Sequence, residues 1–378
     1  MKIAIVGTAH PLRGGLATFN ERMAEVLQSQ GHEVVIYSFS LQYPSFLFPG
    51  KTQFTDEPAP ENLLIKSHIN SVNPFNWLKV GASIKKENFD LVIIKYWLPF
   101  MGLSFGTILR KAKKNKHSRI VCIVDNIIPH EKRPGDKQFT KYFIKPVDAF
   151  ITMSRDVLKD VKTFTSKPSY YTPHPVYDGY GEAVSKEEAC EKLKLDPVKK
   201  YILFFGFIRE YKGLDLLLEA MTDKRIIASG IELIVAGEYY DKAVAQRNNE
   251  IIERNKLQDR VHLNTDFIPN SQVLYYFSAA DLVVQPYKHA TQSGITQVAY
   301  HFEKPMVVTN VGGLAEVVPD GKVGFVAEPH PTSIADAILK FYVPNSIPDL
   351  HKHILNEKQK YTWDTFINVM MNAVFGKK

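Results

Sequence analysis

A chain of 378 residues is long enough for about two domains with separate cores. With 23% charged, 45% apolar and 12% aromatic residues it is neither disordered nor of low complexity. Two cysteines, Cys122 and Cys190, are too few for a disulfide framework or a four-thiolate zinc site and fit a reducing compartment.

The chain opens with Ile3-Ala4-Ile5-Val6-Gly7, an apolar run too short for the core of a signal peptide. Read in order, the first half predicts buried strands at Lys2–Val6, Glu33–Ser38, Leu91–Lys95, Arg119–Val124 and Ala149–Met153. Between the first two, Leu16 to Gln30 places Leu16, Phe19, Met23, Val26 and Leu27 on one helical face, and Gly31 supplies the stop. Leu91 to Leu109 carries a single charge, Lys95, over 19 residues. Pro99, Gly102, Gly106 and the β-rich start predict a strand, a turn and a helix there, not a membrane span. Ser154 reads as a helix N-cap and not as a nucleophile. Strands alternating with helices imply a parallel, doubly wound sheet in a soluble, cytoplasmic chain.

From Pro168 to Lys200 the pattern breaks into a Pro- and Gly-rich linker with a short capped helix at Ser185. A second alternation follows, with strands at Lys200–Gly206, Ile231–Gly237, Val261–Leu263, Leu282–Gln285, Pro305–Thr309 and Gly324–Val326. Its helices are Gly213–Met221, Ala245–Asn255, Ser271–Ala280 and Ile295–Phe302, and the tail is helical over Ile334–Tyr342 and Leu350–Ala373. The two halves show no repeat in the residues themselves.

Charge is uneven. Residues 1–180 hold 24 Lys and Arg against 15 Asp and Glu, and the remainder 23 against 25. The excess is densest from Arg110 to Lys116 and continues through Lys132, Arg133, Lys137, Lys141 and Lys145. Solvated helix ends are one reading. A surface facing anionic lipid or a phosphate-bearing acceptor is another. Nucleic acid is disfavoured, because no recognition motif accompanies the charge.

Two places carry candidate chemistry. Gly14 and Gly15 stand just before a helix, where free backbone N–H groups suit an anion, although a simple turn reads the same way. The chain has neither the G-x-G-x-x-G fingerprint at this loop nor a Walker-A loop, so a nicotinamide cofactor is disfavoured. In the second half a buried strand ends at Gly206, and Arg209 and Lys212 follow at a helix start. Cations there oppose the helix dipole, and a diphosphate would account for them. The alternative is that they pair with Glu210 and Asp215.

These segments resemble the retaining nucleotide-sugar glycosyltransferases of family 4, which have the GT-B architecture of two Rossmann-like domains facing a central cleft. The resemblance runs through Gly14-Gly15, Gly31-His32-Glu33-Val34, Phe205-Gly206 to Lys212-Gly213, Val235-Ala236-Gly237 and Ala279 to Val284. It continues in Lys304-Pro305-Met306-Val307-Val308 and Val311-Gly312-Gly313 to Val318. It implies an acceptor-binding domain over 1–180, a nucleotide-sugar-binding domain over 181–350, and a helix over 351–378 that packs back towards the first. By the same resemblance Arg209 and Lys212 hold the donor diphosphate, Gly14 and Gly15 approach the donor phosphate and the acceptor, and Asp266-Phe267-Ile268-Pro269 packs around the base. His130 falls near a histidine that contacts the donor sugar, with an ordinary loop residue as the alternative. No metal or other cofactor is implied.

One departure matters. Family members carry two glutamates eight positions apart before the Lys-Pro, whereas Tyr287 to Phe302 contains no carboxylate. Aligned through Gly294, those positions fall on Thr291 and Ala299. Thr291, Gln292, Ser293, the backbone N–H groups of Gly294 and Ile295, and Gln297 remain as polar contacts for the donor. The loss argues against a covalent intermediate on a glutamate here. It leaves open a retaining front-face transfer, a nucleotide-sugar-binding protein with weak or no transfer, and an inverting transferase or epimerase with His10 or His130 as base. The implied partners are a nucleotide sugar and a carbohydrate or lipid-linked acceptor, for surface polysaccharide or glycolipid synthesis. The basic first half, with Tyr43 to Pro49 and Trp77, would suit a lipid-linked acceptor at a membrane face, with ordinary loop packing as the alternative.

Overall fold

The structure, a computed structural model, describes residues 1–44, 52–129, 133–290 and 293–376. The chain divides into two units, Met1–His174 with Thr362–Lys378, and Pro175–Tyr361. Among the described residues no helix is long and apolar enough to cross a membrane.

The first unit runs β1 (Lys2–Val6), α1 (Gly15–Ser29), β2 (Glu33–Leu41), β3 (Leu64–Asn70), α2 (Pro74–Glu87), β4 (Leu91–Tyr96) and α3 (Gly102–Ala112). It continues with β5 (Arg119–Val124), α4 (Asp136–Ile144), β6 (Ala149–Thr152), α5 (Arg155–Phe164) and β7 (Ser169–Tyr171). The strands pair in parallel in the order β3-β2-β1-β4-β5-β6-β7. Apolar runs such as Leu91–Ile94 and Ile120–Val124 are buried because helices cover both sheet faces. Ser154 caps α5 by accepting the Asp156 N–H. Strand β3 escapes the hydrophobic pattern: it lies at the sheet edge, its Leu64 is exposed, and backbone pairing with β2 defines it.

The second unit runs α6 (Lys186–Leu193), β8 (Lys200–Phe205), α7 (Leu214–Ala220), α8 (Lys224–Ala228), β9 (Ile231–Ala236), α9 (Lys242–Arg254) and β10 (Val261–Asn264). Then come α10 (Asn270–Ala279), β11 (Leu282–Gln285), α11 (Gly294–His301), β12 (Met306–Thr309), α12 (Leu314–Val317), β13 (Gly324–Ala327), α13 (Pro331–Phe341) and α14 (Leu350–Lys358). Its parallel sheet has the order β10-β9-β8-β11-β12-β13. The tail is not one helix. A 3₁₀ turn at Gln359–Tyr361 ends α14, and Thr362 accepts the Thr365 N–H to start α15 (Trp363–Phe375). This last helix belongs to the first unit, where Trp363 and Phe366 pack against Phe19 of α1.

Strand order reverses between β1 and β4 in one sheet and between β8 and β11 in the other. Doubly wound sheets bind ligands at the carboxyl ends of the strands at such points.

Candidate functional site

In the second unit the reversal point gathers the two cations. Strand β8 ends at Gly206, whose φ of +92° suits glycine, and the backbone then runs through Ile208 to Arg209. A single 3₁₀ turn, Glu210–Lys212, closes with the Lys212 N–H donating to Arg209 O at 3.0 Å. Gly213 follows at φ +66°, and a Cβ on it would lie 2.0 Å from Pro286 O, so the turn sits directly on the end of β11. Only glycine satisfies both conditions.

This turn sends Lys212 inward. It is 9% exposed, and its Nζ would lie 3.3 Å from a Cβ placed on Gly206, with Ile295 Cδ1 at 3.2 Å from the same point. Burial, and then the positive charge of Arg209, push its amine down to about 7. The Arg209 guanidinium stacks on the Tyr240 ring at 3.7 Å. Neither cation pairs with Glu210 or Asp215. Lys288 draws both carboxylates away, at 2.6 and 2.7 Å, and Arg247 also holds Glu210. The hydrogen bond from Lys288 keeps the Glu210 carboxyl below its ordinary range. Two adjacent cations at a sheet's carboxyl edge, with their neighbouring acids engaged elsewhere, have the charge and donors to hold a multiply charged anion.

Helix α11 brings further groups to this point. Ser293 caps it by accepting the Ile295 N–H at 3.2 Å, and its Oγ lies 3.2 Å from the Tyr287 hydroxyl. Gly206, Lys212, Ser293, Gly294 and Ile295 are thus brought together. Gln297 is 2% exposed and its Oε1 has no hydrogen-bond partner among the described residues. Phe267 and Ile268 follow β10, two strands from β8. Ala299 is fully buried in α11. His130, Thr291 and Gln292 lie outside the described residues.

In the first unit Gly14 adopts φ +100° and opens α1 with no side-chain cap. Nearby, the His10 backbone N–H donates to Glu21 at 2.6 Å, and His10 Nε2 lies 3.1 Å from Glu57 O. Burial holds the Glu21 carboxyl above its usual range. His174 packs edge-on against Phe19 and serves the core. Among the described residues no group of three or more His, Cys, Asp and Glu could hold a metal.

Sequence reasoning missed Tyr240, Arg247 and the neighbours Tyr287 and Lys288, because they reach the site from three segments separate from the Arg209–Lys212 turn. It also missed the buried pair of Lys95 and Asp125, 3.3 Å apart at the ends of β4 and β5, with Lys95 Nζ 3.4 Å from the Phe19 ring centroid. The lone charge in an apolar strand was the available signal.

Two family models cover most of the chain: Glycosyltransferase Family 4 matches residues 13–176, and Glycosyl transferases group 1 matches 199–343. A D-inositol 3-phosphate glycosyltransferase of Segniliparus rotundus is 31% identical over 145 residues, which is 38% of this chain and 32% of that one. A lipopolysaccharide 1,2-N-acetylglucosaminetransferase of Salmonella typhimurium is 30% identical over 189 residues, 46% of this chain and 48% of that one. These two matches therefore span half or less of either relative. Anabaena HepE, solved with UDP, superposes with a TM-score of 0.72 at 14% identity over 98% of this chain and 99% of that one.

Proposed function

The chain belongs to the family 4 and group 1 glycosyl transferases, a GT-B enzyme of that class, and we propose that it moves a sugar from a nucleoside diphosphate to an acceptor hydroxyl with retention of configuration. The observation that carries this reading is the pair Arg209 and Lys212, which have no carboxylate partner among the described residues at the carboxyl edge of β8. A diphosphate resting there receives the Arg209 fork and the Lys212 ammonium. In the reaction the acceptor oxygen attacks the anomeric carbon on the face the leaving group departs from. The bond from that carbon to the phosphate oxygen breaks, and the acceptor proton passes to the phosphate. The two cations stabilise the charge growing on the diphosphate, and no glutamate in 287–302 is available for a covalent intermediate. The name of the Salmonella relative supports surface polysaccharide or glycolipid as the destination.

The test is a thermal-shift survey of UDP, GDP, ADP and their common sugars on the wild type and Arg209→Ala, followed by the anomeric configuration of the transferred sugar. One base should give a shift that disappears in the variant, with an unchanged melting profile in its absence. Inverted product would reject retention, and a nucleotide shift retained in the variant would reject the diphosphate site.

A further inference from the structure

The turn that carries Arg209 and Lys212 places its cations with aromatic rings and its acids with a further cation. The Arg209 guanidinium lies 3.7 Å from the centroid of the Tyr240 ring, and the Tyr240 N–H donates to Ile208 O at 3.0 Å, so the ring is tied to the loop it serves. Lys212 Nζ stands 5.7 Å from the Tyr287 centroid. An aromatic face orients a cation and leaves its charge in place, whereas a carboxylate would neutralise it. Two carboxylates are nevertheless at hand. Glu210 follows Arg209 directly, and Asp215 comes three residues after Lys212.

Lys288 takes both of them. It comes from the loop after β11, where its backbone N–H donates to Tyr211 O at 2.7 Å and brings the side chain against the turn. Its Nζ reaches Glu210 Oε1 at 2.6 Å and Asp215 Oδ2 at 2.7 Å. The Lys288 side chain is only 26% exposed, so solvent screens these contacts less than those of a fully exposed pair. Arg247 of α9 also holds Glu210, but among the described residues Asp215 has no other ion pair. With the Lys288 charge removed, the two carboxylates would either repel an anion arriving at Arg209 and Lys212 or turn onto those cations themselves. Both outcomes weaken the site.

We infer that Lys288 is a positioning residue for the donor: by neutralising Glu210 and Asp215 it leaves Arg209 and Lys212 to the diphosphate. It acts through the two carboxylates and not on the ligand. The inference rests on the diphosphate site proposed above and names a condition that site needs. The competing role for Lys288 is a mechanical brace, because one amine bridging two carboxylates also ties the turn to the start of α7. The two roles separate when the carboxylates are replaced by amides. A brace fails when either end is removed, whereas a neutralising charge is no longer needed once there is nothing to neutralise.

The test is calorimetric titration of the full chain with UDP, GDP and ADP at pH 7 and low salt. The nucleotide that binds the wild type should bind Lys288→Met about tenfold or more weakly. Lys288→Arg, which keeps the charge, should stay within about threefold of the wild type. Glu210→Gln with Asp215→Asn should bind at least as tightly as the wild type, and adding both changes to Lys288→Met should restore its affinity. None of the three side chains is buried, so the melting profiles without nucleotide should match the wild type. Wild-type affinity in Lys288→Met would overturn the inference. So would a Glu210→Gln, Asp215→Asn variant as weak as Lys288→Met, which would make Lys288 a brace. Arg209→Ala reports separately on the site beneath: undiminished binding in that variant, or no binding of any of the three nucleotides to the wild type, would overturn the diphosphate site and this inference with it.

Discussion

Donor binding should take up a proton at Lys212. Burial and the neighbouring Arg209 push the empty site's amine down to about 7, so near neutrality half of the molecules present an uncharged nitrogen. A diphosphate beside it favours the ammonium and restores the proton. The sign follows: the bound state holds more protons than the free state above pH 7, so affinity falls as pH rises. Between pH 6 and pH 8.5 the charged fraction of the empty site drops about thirtyfold, equivalent to about 2 kcal/mol of donor binding. Calorimetric titration with a nucleotide sugar is the assay, because both of its phosphates stay ionised across this range. Repeating it at pH 8 in buffers of different ionisation enthalpy counts the protons taken up, with close to one expected. Lys212→Arg, charged at every pH, should flatten the profile. A wild-type affinity that is level from pH 6 to pH 8.5, or the same slope in Lys212→Arg, would refute the reasoning.

Two further outcomes concern stability. Gly213→Ala forces a Cβ to 2.0 Å from Pro286 O at φ +66°, so urea unfolding should show a loss of about 2 kcal/mol or more, with nucleotide shifts lost in parallel. Lys95→Met strands the Asp125 carboxylate in the core and should cost about 3–5 kcal/mol, whereas Lys95→Met with Asp125→Leu should recover most of it. A double variant as unstable as the single one would mean that the pair is not what the single substitution breaks.

The elements most legible in the sequence were those in which burial on both faces leaves a continuous apolar run. β1, β4, β5, β8, β9 and β11 are of this kind, and periodicity found each of them. β3 was missed because its pairing with β2, not its side chains, makes it a strand, and β7 because three residues carry no period. The tail from Leu350 to Ala373 read as one helix because the apolar spacing continues through it; the Thr362 hydroxyl that restarts it by accepting the Thr365 N–H leaves that spacing unbroken. At the site, Arg209 and Lys212 were visible because cations at a helix start ask for a reason. What freed them was not visible. That Lys288 and Arg247 hold Glu210, and Lys288 holds Asp215, depends on contacts 73 or 78 positions apart for Lys288 and 37 for Arg247.

That arrangement also bears on product release. With no carboxylate between Tyr287 and Phe302, the sugar half of the donor loses the strongest hydroxyl acceptors this stretch could offer, and Ala299 is fully buried. On the proposed reading the diphosphate half keeps both cations. After transfer the nucleoside diphosphate carries one more negative charge towards Arg209 and Lys212, and hydrogen bonds to ionised groups are worth about 1.5–3 kcal/mol. The free diphosphate should therefore bind about tenfold or more tightly than the donor at pH 8, where its terminal phosphate, with a pKa of about 6, is almost fully ionised. Transfer should then show strong product inhibition, relieved by a phosphatase that removes the diphosphate. Competition calorimetry decides the matter. A donor that outcompetes its own diphosphate would place most of the binding on the sugar, and the pair at Arg209 and Lys212 would no longer be the dominant contact.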